Sequence, residues 1–323
     1  MLATLLAATE IESFVCGEPE RLFPKCYVPR FTQQDPAAKR IDTKKQWPLF
    51  GAGEPKSGIQ LADLRTLFDT GITARAILEP LASYLYEDRA TDVAEKMRNR
   101  DFDVAGLKFA EDRAVDGYLV RDDLMDGLCK DHKRGIELTN VVADTTPLTR
   151  VLADLKSRER VFVLSGDSLD GIITRADLQK HPVRIMMFAE LSLLEMHMEF
   201  WVRRFYGSDE LRSVLREGSI RAAQQRLQKR KVLNLDIDLV ACLTFADKKK
   251  IVLKDEKIGG KLGVPSQNKV KDTLDDAKEL RDRLAHAQDL VSGSTWEDTI
   301  ETIEGIESMI LRSESQMKQV IST

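Results

Sequence analysis

The chain has 323 residues, 42% hydrophobic and 32% charged, with a net charge of −4; that length holds two or three domains, and the slight acidity excludes nucleic-acid binding through an overall positive charge. Cys16, Cys26, Cys129 and Cys242 are scattered, with no Cys-x-x-Cys pair and no histidine at ligand spacing, which excludes a disulfide framework and a structural zinc. No apolar run approaches the roughly 18 residues of a membrane span. These features predict a cytoplasmic protein with reduced thiols, no metal and no membrane partner.

Residues 1–62 read as a loop-rich arm with short helices. The apolar start lacks a basic region and runs into Thr9-Glu10-Ile11-Glu12, so it predicts a short helix rather than a signal peptide. Pro24, Pro29, Pro36, Pro48 and Pro55 then break any long period. Gly51 to Ser57 has the outline of a phosphate-binding loop, but Pro55 stands where a glycine must precede the lysine. It therefore reads as a surface turn.

Over residues 63–182 short helices alternate with short strands. A helix is expected over 91–97, strands over 104–109 and 117–120, and a turn at Glu111-Asp112-Arg113. A second set follows: a lead-in at Val141-Val142, a helix opened by Thr146-Pro147, a strand over 160–164, a turn at Gly166-Asp167 and a strand over 171–174. The two sets repeat one pattern. Gly117-Tyr-Leu-Val-Arg121-Asp-Asp123-Leu and Gly171-Ile-Ile-Thr174-Arg175-Ala-Asp177-Leu stand 54 residues apart, so one β-α-β-β-α unit is built twice.

From residue 183 to 323 the pattern is all-α. Helices are expected over 186–206, 209–230 and 236–250, then a loop over 257–267 on the strength of Gly259, Gly260, Gly263 and Pro265. Leu274, Ala277, Leu280, Leu284, Ala287 and Val291 share one helical face. Ser292-Gly293 should end that helix, and Ser294 with Glu297 should form the capping box of the last one, buried through Ile300, Ile303 and Ile310. His197, Trp201 and Phe205 read as core of the long apolar helix.

A strand that ends in a hydroxyl or basic residue before a helix N-terminus offers amides and a dipole to phosphate. On the doubled glycine-to-aspartate motif, residues 70–185 resemble a tandem pair of CBS domains. The resemblance implies an adenine nucleotide (AMP, ADP or ATP) between the copies: Asp177 would hold ribose, Thr174 and Arg175 phosphate, with Asp123 and Arg121 matching them in the first copy. Val120 departs from the pattern where a threonine is expected. The same motif also fits aspartates that only cap helices in a dimerisation block.

Arg281 and His286 form an R-x4-H motif with Asp282 after the arginine, in the penultimate helix of the bundle. On this motif the tail resembles the HEPN superfamily (higher eukaryotes and prokaryotes nucleotide-binding). That resemblance implies a homodimeric, metal-independent endoribonuclease. Histidine suits proton transfer from a 2′-OH, and a permanently charged arginine suits the phosphorane. His286 would be the acid/base, Arg281 the electrostatic clamp, and Asp282 could orient the imidazole. Residues five apart lie about 140° apart around a helix, so Arg281 and His286 would converge only across a dimer groove.

Between Arg203 and Lys271 there are seventeen Lys/Arg against eight Asp/Glu. Arg283, Lys229, Arg230 and Lys231 are the candidate RNA contacts, with the run Lys248 to Lys250 beside them. The reading is thus α+β: a CBS pair followed by an all-α HEPN-like bundle, coupled by a hinge at Lys180-His181-Pro182. A non-enzymatic nucleotide sensor, whose bundle only dimerises or binds a partner, fits the same residues.

Overall fold

The computed structural model describes residues 60–232, 237–263 and 267–321. Residues 1–59 of the expected arm, with Cys16, Cys26 and the Gly51 to Ser57 turn, lie outside them. The first described element is a helix the sequence reading did not separate from the arm, α1 (Leu61–Gly71), opened by a capping box between Gln60 and Asp63.

The doubled unit forms two small sheets. In the first copy, β2 (Ser83–Leu85) pairs parallel with β3 (Val104–Lys108) through the crossover helix α2 (Ala90–Asn99), and β3 pairs antiparallel with β4 (Val115–Val120). The second copy repeats this with β5 (Val141–Ala143), α3 (Leu148–Ser157), β6 (Arg160–Ser165) and β7 (Ser168–Thr174). A preceding two-residue strand, β1 (Glu79–Pro80), crosses over to pair antiparallel with β7. Each copy ends in a 3-10 turn, Arg121–Asp123 or Arg175–Gln179, where a closing α-helix was expected. The turn after β7 has no room to lengthen, because α4 (His181–Phe205) begins two residues later.

The motif glycines are required by close approach. A Cβ on Gly117 would sit 2.9 Å from the Arg134 carbonyl oxygen, and one on Gly171 3.0 Å from Val163 Cβ. Those spacings are below ordinary contact and involve groups that cannot swing aside.

The tail packs α4 against α7 (Phe245–Lys254), α8 (Glu256–Leu262), α9 (Gln267–Ala285) and α10 (Trp296–Ile321). The helix expected over 209–230 is split into α5 (Leu211–Val214) and α6 (Glu217–Val232), and a 3-10 turn at Val240–Cys242 precedes α7. The glycine-rich stretch expected to be a loop is mostly α8. Ile258 and Leu262 bury fully, Gly259 lies against α7, and the chain leaves the helix only at Gly263, in the left-handed region. Apolar spacing outweighed two glycines, each worth roughly 1 kcal/mol of helix propensity. The last capping box uses Thr295 and Asp298, one residue later than expected.

Three apolar clusters hold the structure. One belongs to the first copy (Val93, Met97, Leu107, Leu119, Cys129), and a small one joins the copies through Leu81, Val115, Phe162 and Ile172. Burial pushes the Cys129 thiol up to about 11, with Asp88 adding to the effect, so it is an inert core group. The third cluster runs unbroken from α1 through Leu148, Val151, Ile173 and Leu178 of the second copy into Met186, Trp201, Leu274 and Ile310 of the bundle. The expected boundary at 182/183 therefore crosses a continuous core. At the position of the expected hinge, Lys180 is the N-cap residue of α4, and its ammonium donates to the Ile77 carbonyl (2.5 Å) and pairs with Asp177 (2.8 Å) and Glu79.

His197 and Trp201 lie in the core as expected, but Phe205 is partly exposed. Ser313, fully buried, accepts from the Trp201 indole (2.7 Å) and pairs with His197 Nδ1 (2.8 Å). Burial pulls His197 down to about 4 from its usual 6.5, so the unfolded chain binds the proton more tightly. This group costs nothing above pH 6.5 and destabilises the fold as pH falls from 6.5 towards 4. Ser313→Ala strands two buried polar groups and should lower unfolding free energy by about 2 to 4 kcal/mol, measured by urea denaturation at pH 7. A loss below about 0.5 kcal/mol would contradict the buried triad.

Candidate functional site

The second copy's motif is folded inward and fully occupied. Thr174 donates to Asp177 Oδ2 from its backbone N–H (2.7 Å) and from its hydroxyl (3.0 Å), while Asp177 Oδ1 pairs with Lys180 at 2.8 Å. Asp177 is only 6% exposed. Arg175 turns away from the motif. Its guanidinium caps α3 by donating to the carbonyls of Leu155 (3.0 Å), Arg158 (3.2 Å) and Lys156 (3.1 Å), and it pairs with Glu297 at the start of α10. Arg175 therefore ties the second copy to the bundle instead of standing free for phosphate.

The first copy is arranged differently. With Val120 in place of threonine, no cap forms, and Asp123 pairs outward with Arg134 at 2.5 Å. Arg121 pairs with Asp103 (2.7 Å) and donates to the Phe102 carbonyl (3.3 Å). The sheets meet through Tyr118 and Phe162, whose ring centroids lie 5.1 Å apart.

A second cluster of contacts joins the Arg175–Gln179 turn to the end of α9. That helix stops at Ala285, six residues short of the expected end, in a Schellman-type closure. Gln288 N–H donates to Arg283 O (2.9 Å) and Ala287 N–H to Leu284 O (3.4 Å), with Ala287 at φ +51°. Arg184 of α4 donates to the Arg283 carbonyl (3.1 Å) and to the Gln288 carbonyl (2.9 Å). Gln179 accepts from Leu290 N–H (3.2 Å) and donates to Asp289.

His286 is thus the C-cap residue of α9 rather than a mid-helix residue. Its side chain is exposed and has no partner among the described residues. Arg281, 38% exposed, lies 3.8 Å from Glu195 and 3.5 Å from Asp282. Asp282 turns back to accept from Lys278 (3.0 Å), so it does not orient the imidazole as the spacing suggested. Arg283 braces the closing loop through the Leu290 carbonyl and Ser294 hydroxyl, both at 2.9 Å, and is not available to RNA.

Of the basic runs, Lys229, Arg230 and Lys231 remain exposed at the end of α6, where cations oppose the negative helix terminus. Helix α6 packs on α5 and the Val240–Cys242 turn, whereas α9 packs on α4, α7, α8 and α10. Lys248 and Lys249 cannot serve as backbone contacts. Lys249 pairs with Asp275, and Lys248 is 2% exposed between Glu195 (3.0 Å) and Glu199 (2.8 Å). Glu199 also pairs with Arg203, which makes two bonds to Asp238 (2.5 and 3.0 Å). An ionic chain therefore runs from Asp238 through Arg203, Glu199, Lys248 and Glu195 to Arg281. Sequence reasoning missed it; the available signal was two carboxylates, Glu195 and Glu199, four residues apart inside an apolar helix.

Among the described residues, no group of three or more His, Cys, Asp or Glu side chains is placed to hold a metal ion. No described helix is long and apolar enough to cross a membrane. No protein-family model matches the chain, and no curated protein does. Solved structures do match a part of it. Hypoxic Response Protein I with two coordinated zinc ions aligns at 22% identity over 34% of this chain and 98% of its own, TM-score 0.29. CBSX2 in complex with AMP aligns at 19% over 36% and 98%, TM-score 0.32. The CBS domain of the bacterial CNNM/CorC family Mg2+ transporter in complex with ATP aligns at 16% over 37% and 92%, TM-score 0.30.

Removing one partner of a buried ion cluster leaves the others uncompensated, which costs about 3 to 5 kcal/mol. Lys248→Met should destabilise the protein by that amount in urea denaturation. Lys250→Met, on the exposed neighbour in the same run, should change stability by less than about 0.5 kcal/mol.

Proposed function

We propose that the protein is a nucleotide-responsive regulator in which the doubled α+β unit binds an adenine nucleotide between its copies and the second copy transmits occupancy to the helical bundle. The observation that carries this reading is the double use of the Thr174 to Lys180 turn. Its residues would meet a phosphate and ribose, and they also hold the bundle: Lys180 leads directly into α4 as its N-cap residue, Arg175 pairs with Glu297, and Gln179 grips the loop after α9. A ligand seated there competes for the Asp177 carboxylate and so has different affinity for two arrangements of the junction, which is the requirement for control.

The outward-facing Asp123 of the first copy supplies a second ribose acceptor and Arg121 a nearby cation, so that both copies contribute. AMP, ADP or ATP should bind by calorimetry and should change hydrogen exchange in the 286–294 segment. Asp177→Asn and Asp123→Asn should each weaken binding about tenfold or more, in line with one charge-assisted hydrogen bond. Unchanged exchange at 286–294 under saturating nucleotide would refute the transmission.

A second reading rests on His286, an exposed imidazole without a partner among the described residues, placed after the half-exposed Arg281. Two subunits that pool these groups would form a metal-independent endoribonuclease, as the HEPN resemblance implies, with the Lys229 to Lys231 run as an RNA contact. Incubated with total RNA in EDTA, the wild type should then leave 2′,3′-cyclic phosphate ends, while His286→Ala and Arg281→Ala leave RNA intact. Intact RNA with and without each adenine nucleotide would leave the bundle a dimerisation or partner-binding element.

A further inference from the structure

A cavity of about 330 Å³ opens among α1, α3, α4 and α10, at the seam between the second copy and the bundle. Its volume falls within the range of small-molecule sites. Leu152, Met186, Met187, Ile300 and Ile303 supply apolar wall. The charged groups at the wall are nearly all satisfied. Arg65 pairs with Glu307, Glu304 with Lys156 (2.6 Å), Asp69 accepts from Thr149, and Arg150 lies 3.5 Å from Asp154.

Glu190 and Arg65 are the exceptions. Arg65 pairs with Glu307 through a terminal nitrogen, but its Nε is buried without a hydrogen-bond partner among the described residues. Glu190 is 2% exposed, lines the cavity, and its Oε2 has no hydrogen-bond partner among the described residues. A buried carboxyl oxygen left unmatched in an apolar setting costs free energy that a ligand donor can recover. The acceptor selects the donor. The other lining carboxylates are held by Arg65, Lys156 and Thr149, so Glu190 is the carboxyl left to receive a ligand, and the strongest partner for it is a hydrogen-bond donor that carries positive charge.

We propose that this cavity binds a small aliphatic ammonium ion, with the head group on Glu190 Oε2 and the alkyl body along Met186, Met187 and Leu152. The site is separate from the nucleotide site and lies on the same seam, so an amine bound there stabilises the docked arrangement of the second copy on the bundle. Burial, reinforced by Glu307 and opposed by Arg65, pushes Glu190 up to about 8. The empty site therefore holds a proton at neutral pH, and the ammonium replaces it. That proton leaves to solvent while the ligand, with a pKa near about 10 like a lysine, keeps its own. Affinity should accordingly rise about tenfold per pH unit from pH 5 to 7 and level off above 8.

The test is calorimetric titration of the full-length protein with n-butylammonium chloride, with 1-butanol and equimolar KCl as controls. Saturable heat is expected for the ammonium alone, with close to one proton released to buffer at pH 7 and an affinity that climbs with pH as above. Glu190→Gln keeps the shape and removes the anion, and should abolish the pH dependence and at least nine-tenths of the affinity. Ala153→Trp plugs the mouth from an exposed position on α3, leaves Glu190 in place, and should abolish binding in a protein that melts like the wild type. The proposal is overturned by no saturable binding, by equal binding of 1-butanol, by pH-independent affinity, or by wild-type affinity in either variant.

Discussion

The junction between the repeat and the bundle depends on one buried carboxylate. Asp177 accepts two hydrogen bonds from Thr174 and an ion pair from Lys180, and Lys180 in turn reaches the Ile77 carbonyl and Glu79. Three segments meet at that point: the approach to β1, the turn after β7, and the first turn of α4. A carboxylate so enclosed is sustained only if its charge is met on every side. Lys180 meets it, from the residue that immediately precedes α4. The strand β1 then follows as a consequence, because Glu79 is both the Lys180 partner and a β7 neighbour. The second copy, α1 and the bundle consequently share one core, while the first copy keeps a small core of its own.

That asymmetry follows from one residue of the repeat. Thr174 lets its aspartate fold inward as a cap; Val120 offers no hydroxyl, so Asp123 faces Arg134 at the surface. The two copies are alike in backbone and different in wiring. The second is a structural part of the bundle. The first touches the second mainly through Leu81, Val115, Phe162 and Ile172.

Much of this order was legible in sequence because the signals were local. Periodicity and turn residues located α2, β3, β4, α3, β6, β7, α4 and α10 to within a few residues, and the 54-residue spacing revealed the duplication. The errors have physical causes. Glycine count overruled apolar spacing at α8, where Ile258 and Leu262 bury a helix that Gly263 ends. The helix over α9 was carried too far because Ala287 and Val291 continue its apolar face, while the chain closes at Ala285 under Arg184. No local pattern announces a cap donated from another helix. Side-chain roles were the least legible: Arg283, Lys248 and Arg175 are charged residues that a sequence invites one to place in solvent, and partners elsewhere in the fold claim all three, while Asp282 turns to Lys278 of its own helix.

Helix α4 is the element that links these sites. It begins directly after Lys180, Arg184 one turn on closes the end of α9 beside His286, and Glu190 lines the seam cavity. Glu195 reaches the Arg281 guanidinium and Glu199 carries the ionic chain on to Arg203. Spatial continuity alone does not make a signal; a transmitting element needs two arrangements that both sites bias. Under the proposed nucleotide reading, a ligand that takes the Asp177 carboxylate would cost Lys180 one of its three contacts, at the residue that leads into α4. The loop after α9 is already strained by a non-glycine residue at φ +51°, at a cost of order 1 to 2 kcal/mol. Arg184 and Gln179 hold the loop closed against that strain.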